Sequence, residues 1–169
     1  RRFQGAFFTP TPWVNEAHRM LEEEFGEDWR EKYVVWDCAW GTGNLTRDYH
    51  FKELYASTLN DEEIRSGYQY NKNAVKFQYD FLNDDIDEMF KWRDSELKLP
   101  KALQETLESK KPIIFLINPP YGTANNAGKK EGDHKAGMAI TQTNALMLNE
   151  DFGACSQQLY AQFLYRIYK

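Results

Sequence analysis

Short apolar runs alternate with longer amphipathic stretches along the chain. The runs at residues 33–36, 54–59 and 73–79 are rich in β-branched and aromatic side chains, which favour strands. A fourth run, residues 113–117, has five apolar residues in succession and predicts a strand buried on both faces. Because helical patterns separate these runs, the sequence predicts one α/β domain with a parallel, doubly wound sheet.

The first amphipathic stretch predicts a helix with Thr11 as N-cap, Pro12 in its first turn and Gly26 at its end. We expect its apolar side chains to face the core: Trp13, Val14, Ala17, Met20, Leu21 and Phe25. Further helices are predicted after Asn60, over residues 84–90 and 100–110, and around residues 159–167.

Residues 122–151 are long, polar and rich in Asn, Gly and Lys. A loop of this length inside a domain is typical of a functional lid or a disordered segment, so we expect a mobile lid with one helical turn near residues 144–148. Its basic side chains suit either a phosphate contact or, more simply, a solvated loop: Lys129, Lys130, His134 and Lys135.

Polar or small residues follow each predicted strand, at residues 37–43, 58–61, 80–81 and 118–121. The carboxyl edge of a parallel sheet is where open α/β sheets bind ligands. In the segment Asp37-Cys38-Ala39-Trp40-Gly41-Thr42-Gly43-Asn44, two glycines indicate a turn that a ligand can approach, and a short helix after Gly43 would direct amides toward it. The segment is not the full dinucleotide fingerprint, and Asp37 favours a cationic ligand over pyrophosphate.

The segment Asn118-Pro119-Pro120-Tyr121 ends the most apolar run. Its prolines stop strand pairing and stiffen the backbone. The Asn118 side-chain oxygen and the Pro119 carbonyl can accept the two hydrogens of a planar amine, which localises the nitrogen lone pair. Tyr121 can stack on the flat group that carries the amine. A proline turn without chemistry explains the same four residues.

Composition narrows the classes of function. The chain has 169 residues, 41% of them hydrophobic, with a net charge of −5, two cysteines and three histidines. The charge argues against a stand-alone duplex-binding domain. We expect no metal site, no membrane span and no disulfide, as is typical of a cytoplasmic protein.

The motifs together resemble the amino-group DNA methyltransferases that use S-adenosylmethionine, in the N6-adenine branch with the gamma order of motifs. Residues 118–121 match the catalytic motif of that family, and residues 37–44 match its cofactor motif. Gly5-Ala6-Phe7-Phe8-Thr9-Pro10 matches the motif before the first helix, and Asp80-Phe81 matches the motif at the cofactor adenine.

The resemblance implies a Rossmann-like methyltransferase sheet and an S-adenosylmethionine site. It implies that Asp80 accepts from the cofactor adenine and that Phe81 lies against its face. The full set of implied cofactor residues is Phe8, Thr9, Pro10, Asp37, Ala39, Gly41, Gly43, Asn44, Thr58, Asn60, Asp80 and Phe81. The implied catalytic residues are Asn118, Pro119, Pro120 and Tyr121, acting on a flipped adenine in double-stranded DNA without a metal.

Two departures qualify the resemblance. The position of the family acid that holds the ribose falls on Thr58 here, so either Asn60 or Asp61 substitutes for it or the ribose is held differently. Later strands and the recognition region are missing, so we expect residues 1–169 to be part of a catalytic domain, truncated after the fourth strand and following helix. Such a fragment would self-associate through its sheet edge or cover that edge itself.

The resemblance also implies a bacterial restriction-modification system, with a restriction subunit as a partner. Three alternatives share the motif: a protein glutamine N5-methyltransferase, an RNA adenine methyltransferase, and a methyltransferase-like subunit that only binds. The motif before the first helix and the long polar stretch favour DNA.

Overall fold

The computed structural model describes residues 8–86, 97–122 and 140–169. The described residues fall into two compact units. The sheet unit contains Phe8–Phe81 and Leu99–Asn118; the helical unit contains residues 82–86, 97–98, 119–122 and 140–169. Outside the described residues lie Gly5-Ala6-Phe7, part of the predicted helix at 84–90, and Lys129, Lys130, His134 and Lys135 of the predicted lid.

Four strands form the sheet of the sheet unit. They are β1 (Val34–Asp37), β2 (Leu54–Thr58), β3 (Val75–Gln78) and β4 (Ile113–Phe115). All pairings are parallel and the order is β3-β2-β1-β4, which confirms the predicted parallel α/β sheet. This order matches the first four strands of the Rossmann arrangement.

Four helices accompany the sheet: α1 (Thr11–Phe25), α2 (Trp29–Lys32), α3 (Asp61–Ser66) and α4 (Lys101–Glu108). The N-cap of α1 is Pro10 rather than Thr11, one residue before the prediction, because Pro10 has extended backbone angles and accepts the first helical bonds. Gly26 ends α1 at φ 92°, as predicted. The short α2 was not predicted.

One face of the sheet packs against α1 and α2 in a core that includes Val14, Trp29, Val35, Leu54 and Leu116. The predicted face of α1 is partly wrong. Val14 is buried and Leu21 packs on this core, but three predicted core residues are exposed: Trp13, Met20 and Phe25. His18 is buried instead, one turn after Val14, because the inward stripe runs through Val14, His18 and Leu21.

The opposite face of the sheet is aromatic. Trp36 contacts Phe77, Tyr79, Phe81 and Phe115 with ring centroids 5.3–6.5 Å apart, and its indole donates to Ser57 Oγ at 3.0 Å. Strand β4 is only partly buried, which corrects the prediction of a strand buried on both faces. The reason is its position: in the described sheet, β4 has β1 on one side only.

The helical unit contains α5 (Gln142–Asn149), a 3₁₀ helix (Gly153–Gln157) and α6 (Leu159–Tyr168). The presence of α5 corrects the predicted lid at its carboxyl end, where a single helical turn was expected. Leu146 and Met147 of α5 pack with Ile86, Ala161 and Tyr165.

Buried polar side chains add to this packing. Thr143 Oγ1 donates to the Leu82 carbonyl at 2.9 Å, and the Asn144 and Gln162 amides both donate to the Ser156 carbonyl at 2.7 Å. Arg166 donates to the Asp84 carbonyl at 2.8 Å. The helical unit therefore rests on side-chain to backbone bonds as well as on apolar contacts.

Candidate ligand site at the carboxyl edge of the sheet

The strand order reverses between β1 and β4, so a crevice is expected at their carboxyl ends. Asp37 is the last residue of β1, and Asn118 follows the end of β4 by three residues. Both lie in the sheet unit. The fold thus brings the predicted cofactor turn and the predicted catalytic asparagine to the same edge of one sheet.

The turn after β1 is fixed by backbone bonds. The Trp40 N–H donates to the Ser57 carbonyl at 2.9 Å, and the Gly43 N–H donates to the Trp40 carbonyl at 2.8 Å. Gly41 and Gly43 have φ of 56° and 83°, which side-chain-bearing residues rarely adopt. The predicted helix after Gly43 is instead a series of turns, in which the Thr46 and Arg47 N–H groups donate to the Gly43 carbonyl.

The two glycines of the turn serve different purposes. A Cβ on Gly43 would lie 2.8 Å from the Trp40 ring, and one on Gly67 would lie 2.5 Å from it. Gly43 and Gly67 are therefore needed to seat Trp40, whose indole donates to Thr46 Oγ1 at 3.0 Å. A Cβ on Gly41 meets nothing closer than the Ala39 carbonyl at 4.0 Å, so Gly41 borders open space.

Asp37 is a buried carboxyl group with a raised pKa. It is 1% exposed, and desolvation raises its pKa to about 8, against the opposing effect of the Ala39 N–H, which donates to Asp37 Oδ1 at 3.1 Å. An acid in this state is mostly neutral at pH 7 and ionises readily when a cation approaches. Such a group suits a cationic ligand, and the binding of one at Asp37 stays a prediction.

Thr9 joins the other elements of the edge. Its hydroxyl accepts from Asn118 Nδ2 at 2.9 Å, and its carbonyl accepts from Asn44 Nδ2 at 3.5 Å. Because the Asn118 nitrogen faces Thr9, the amide oxygen points away from it. Three segments that are distant in the sequence therefore meet at Thr9, next to Pro10 at the start of α1.

At the end of β2, Thr58 contacts an acid that the sequence analysis did not single out. Thr58 is 4% exposed, and its hydroxyl donates to Glu63 Oε2 at 2.5 Å. Glu63 belongs to α3, for which the exposed Asn60 is the N-cap. A carboxylate thus lies beside Thr58, where an acid was expected, but it comes from the following helix. No sequence pattern marks Glu63 among the neighbouring acids of α3.

The remaining predicted cofactor residues differ in exposure. Phe81 is 4% exposed and packs edge-on against Trp36, while Asp80 and Ala39 are half-buried. Phe8 is 51% exposed. The prediction that these residues bind a cofactor stays a prediction.

The remainder of the predicted catalytic motif lies in the helical unit. Pro119 and Pro120 are half-buried and Tyr121 is exposed. The Gly122 carbonyl accepts from the Leu159 N–H at 3.0 Å, at the start of α6. The Tyr121 ring lies 6.2 Å from the ring of Tyr160, a residue that the sequence analysis did not single out.

Neither a metal-binding cluster nor a membrane-spanning helix occurs among the residues that the structure describes. In the described ranges, no three His, Cys, Asp or Glu side chains are grouped so that they could hold a metal ion. No helix within those ranges combines the length and the apolar character needed to cross a membrane. Cys38 is buried and Cys155 is exposed, and neither of them forms a disulfide.

Comparison with solved structures supports the fold. The chain is similar to DrdV, solved in complex with DNA by cryo-electron microscopy, at 18% identity and a TM-score of 0.53 over 95% of this chain and 19% of that one. It also aligns with a Pyrococcus horikoshii protein provisionally named an RNA methyltransferase, at 15% identity and a TM-score of 0.48 over 93% of this chain and 61% of that one. No protein-family model and no curated protein matches the sequence.

The chain spans less than two thirds of either structure. At these identities the likeness extends to the fold alone. The DrdV alignment agrees with the parallel sheet and its flanking helices.

Proposed function

We propose that the chain is a methyltransferase that uses S-adenosylmethionine and acts on the N6 amine of adenine in DNA. The observation that carries this proposal is the hydrogen bond from Asn118 Nδ2 to Thr9 Oγ1. It orients the amide that opens the Asn-Pro-Pro-Tyr motif and links it to a second motif of the same family, 109 residues away. A proline turn without chemistry would not require this link.

The residues of the edge fit the cofactor. Gly41 gives a ligand access to the backbone of the turn. Asp37 offers a carboxyl group whose ionised form would be favoured by a nearby positive charge. Glu63, beside Thr58, offers a carboxylate that can accept from ribose hydroxyls, in place of Asn60 or Asp61. When bound, S-adenosylmethionine supplies an electrophilic methyl group.

The protein's own residues act on the amine. The Asn118 oxygen and the Pro119 carbonyl accept hydrogen bonds from the two N–H groups of the amine. These hydrogen bonds localise the lone pair on nitrogen for in-line attack. Tyr121 stacks on the base and fixes its plane; its exposed ring is available for this. Holding the amine in line contributes much of the rate in such reactions.

Three features favour DNA as the substrate. The motif that ends in Phe8, Thr9 and Pro10 matches the DNA enzymes, Thr9 contacts the proposed catalytic residue, and DrdV, which shares this fold, was solved with DNA. A role in restriction and modification, with a restriction subunit as partner, follows from the same resemblance.

The test is transfer of a radiolabelled methyl group from S-adenosylmethionine by the full-length protein. We offer unmethylated duplex DNA, the same sequence as RNA, and a glutamine-containing peptide in parallel. Label on N6 of adenine in DNA is the expected result. Label on RNA or on glutamine instead would replace the proposed substrate, and binding of S-adenosylmethionine without transfer to any of them would identify a non-catalytic subunit.

A further inference from the structure

Tyr160 stands out because its ring lies beside that of Tyr121 while both remain exposed. The centroids are 6.2 Å apart with an interplanar angle of 37°. Tyr121 is 58% exposed and Tyr160 is 41% exposed. Aromatic rings attract each other at such separations, so each restricts the orientation of the other. The pair is too close for a base to be inserted between the two rings, since stacking on both sides would need about twice the usual distance between stacked rings.

The backbone that carries Tyr160 is held firmly. Leu159, its neighbour, is 4% exposed and donates its N–H to the Gly122 carbonyl at 3.0 Å. Two residues on, Gln162 is fully buried, donates to the Ser156 carbonyl at 2.7 Å and accepts from Thr141 Oγ1 at 2.6 Å. The first turn of α6 is thus fixed both to the residue after Tyr121 and to the body of the helical unit.

Exposure without constraint would leave Tyr121 free to sample several side-chain rotamers. Each rotamer lost on binding a base would cost affinity, and a ring that is already oriented avoids this cost. Tyr160 is placed to supply that orientation because it is exposed only in part and its backbone is fixed.

We propose that Tyr160 is a positioning residue that orients the Tyr121 ring for stacking on a planar heteroaromatic base. This inference rests on the proposed function, since it presumes that Tyr121 receives such a base. Tyr160 acts through Tyr121 and does not itself touch the base.

The test is a double-mutant cycle in the full-length protein with duplex DNA and radiolabelled S-adenosylmethionine. Tyr160→Ala should raise KM for DNA about three- to tenfold, with an unchanged affinity for S-adenosylmethionine and an unchanged melting temperature. Tyr160→Phe should restore KM, because the ring and not the hydroxyl does the positioning. Tyr168→Ala, at an 85% exposed tyrosine two turns further along α6, is the matched control and should leave KM unchanged.

The decisive comparison is the double variant. If Tyr160 acts through Tyr121, then Tyr160→Ala should add nothing to the KM of Tyr121→Ala. Additive effects, failure of Tyr160→Phe to restore KM, or a wild-type KM in Tyr160→Ala would each overturn the inference while leaving the proposed function intact. A wild-type protein that transfers no methyl group to DNA would overturn the proposed function, and this inference with it.

Discussion

The sheet unit and the helical unit are stabilised by different kinds of interaction. In the sheet unit, apolar and aromatic side chains pack on both faces of parallel strands, and polar groups gather at the carboxyl edge. In the helical unit, buried Thr, Asn, Gln and Arg side chains bond to backbone carbonyls between segments. Polar residues therefore have different surroundings in the two units: at the sheet edge they line the candidate ligand site, and in the helical unit they bond to backbone carbonyls.

The largest effect is expected at the sheet edge. Asn118→Ala should lower kcat roughly a hundredfold or more, because one preorganised polar group at a reacting centre contributes on this scale. Affinity for S-adenosylmethionine, measured by calorimetry, should change little. Asn73→Ala, at an exposed asparagine of the same unit, is the control. Methylation near the wild-type rate in Asn118→Ala would refute the proposed role.

A second prediction compares one glycine from each unit. Gly43→Ala should destabilise the protein by about 2–4 kcal/mol, since it combines strain at φ 83° with a contact 2.8 Å from Trp40. Gly153→Ala has φ 56° but meets nothing within 4 Å, so it should cost only the backbone strain, about 1 kcal/mol. Urea unfolding measures both. Equal losses would mean that Trp40 moves aside freely.

The structure of the sheet unit was easier to predict from the sequence than that of the helical unit. The parallel sheet was predictable because apolar runs such as residues 113–117 alternate with helical patterns, and the turn at residues 37–44 was predictable from its glycines. The partial burial of β4 was not predictable, because it depends on which strands are its neighbours. The network of the helical unit was not, because no sequence pattern marks Asn144 and Gln162 as buried, and their partners lie in other segments. The predicted lid failed at α5 for this reason.

The site was predictable only in part, again for physical reasons. Candidate residues that are contiguous in the sequence, such as residues 118–121, could be proposed from their chemistry. Glu63 and Tyr160 could not, since each reaches its partner through the fold. Glu63 lies beside Thr58 because α3 turns back on β2, and Tyr160 lies beside Tyr121 because Leu159, at the start of α6, donates its N–H to the Gly122 carbonyl. The exposure of Trp13 likewise depends on how α1 is rotated against the sheet.

A third prediction tests the network itself. Asn144→Ala should destabilise the protein by about 1–3 kcal/mol, because it removes a donor to the Ser156 carbonyl in a buried setting. Gln157→Ala, at an exposed residue of the neighbouring 3₁₀ helix, should change stability by less than about 0.5 kcal/mol. Urea unfolding again gives both values. If Asn144→Ala changes the free energy of unfolding as little as Gln157→Ala does, the helical unit is stabilised by apolar packing and not by this hydrogen bond.

A fourth prediction uses the pH dependence of Asp37. Its pKa of about 8 means that the free protein holds this group mostly neutral below that pH. A bound cation favours the ionised form, so binding releases a proton and affinity should rise with pH. At pH 6 wild type and Asp37→Asn should bind S-adenosylmethionine similarly, and at pH 9 wild type should bind about tenfold more tightly. Calorimetry at both pH values measures these affinities. If the ratio of the two affinities is the same at pH 6 and pH 9, Asp37 does not interact with the cationic ligand.

The smallest effect is expected at His18, a buried polar residue of the sheet unit. Arg30 donates to His18 Nδ1 at 3.1 Å, His18 Nε2 donates to the Leu45 carbonyl at 2.8 Å, and the ring stacks on Tyr49 at 3.5 Å. This arrangement requires the neutral ring. Burial is the main cause that lowers the pKa of His18, with a further contribution from the Arg30 charge.

The lowered pKa of His18 determines how the stability of the protein depends on pH. Below the unfolded pKa of about 6.5 the unfolded chain takes up a proton that the folded chain resists, so stability should fall as pH drops from 7 toward the lowered folded pKa. The loss is limited to about 1.4 kcal/mol per pH unit in that window. His18→Gln should remove this slope from urea unfolding at pH 7 and 5. His50→Gln, at a mostly exposed histidine paired with Glu31, is the matched control and should retain it. A slope that survives in His18→Gln would assign the acid sensitivity to other groups.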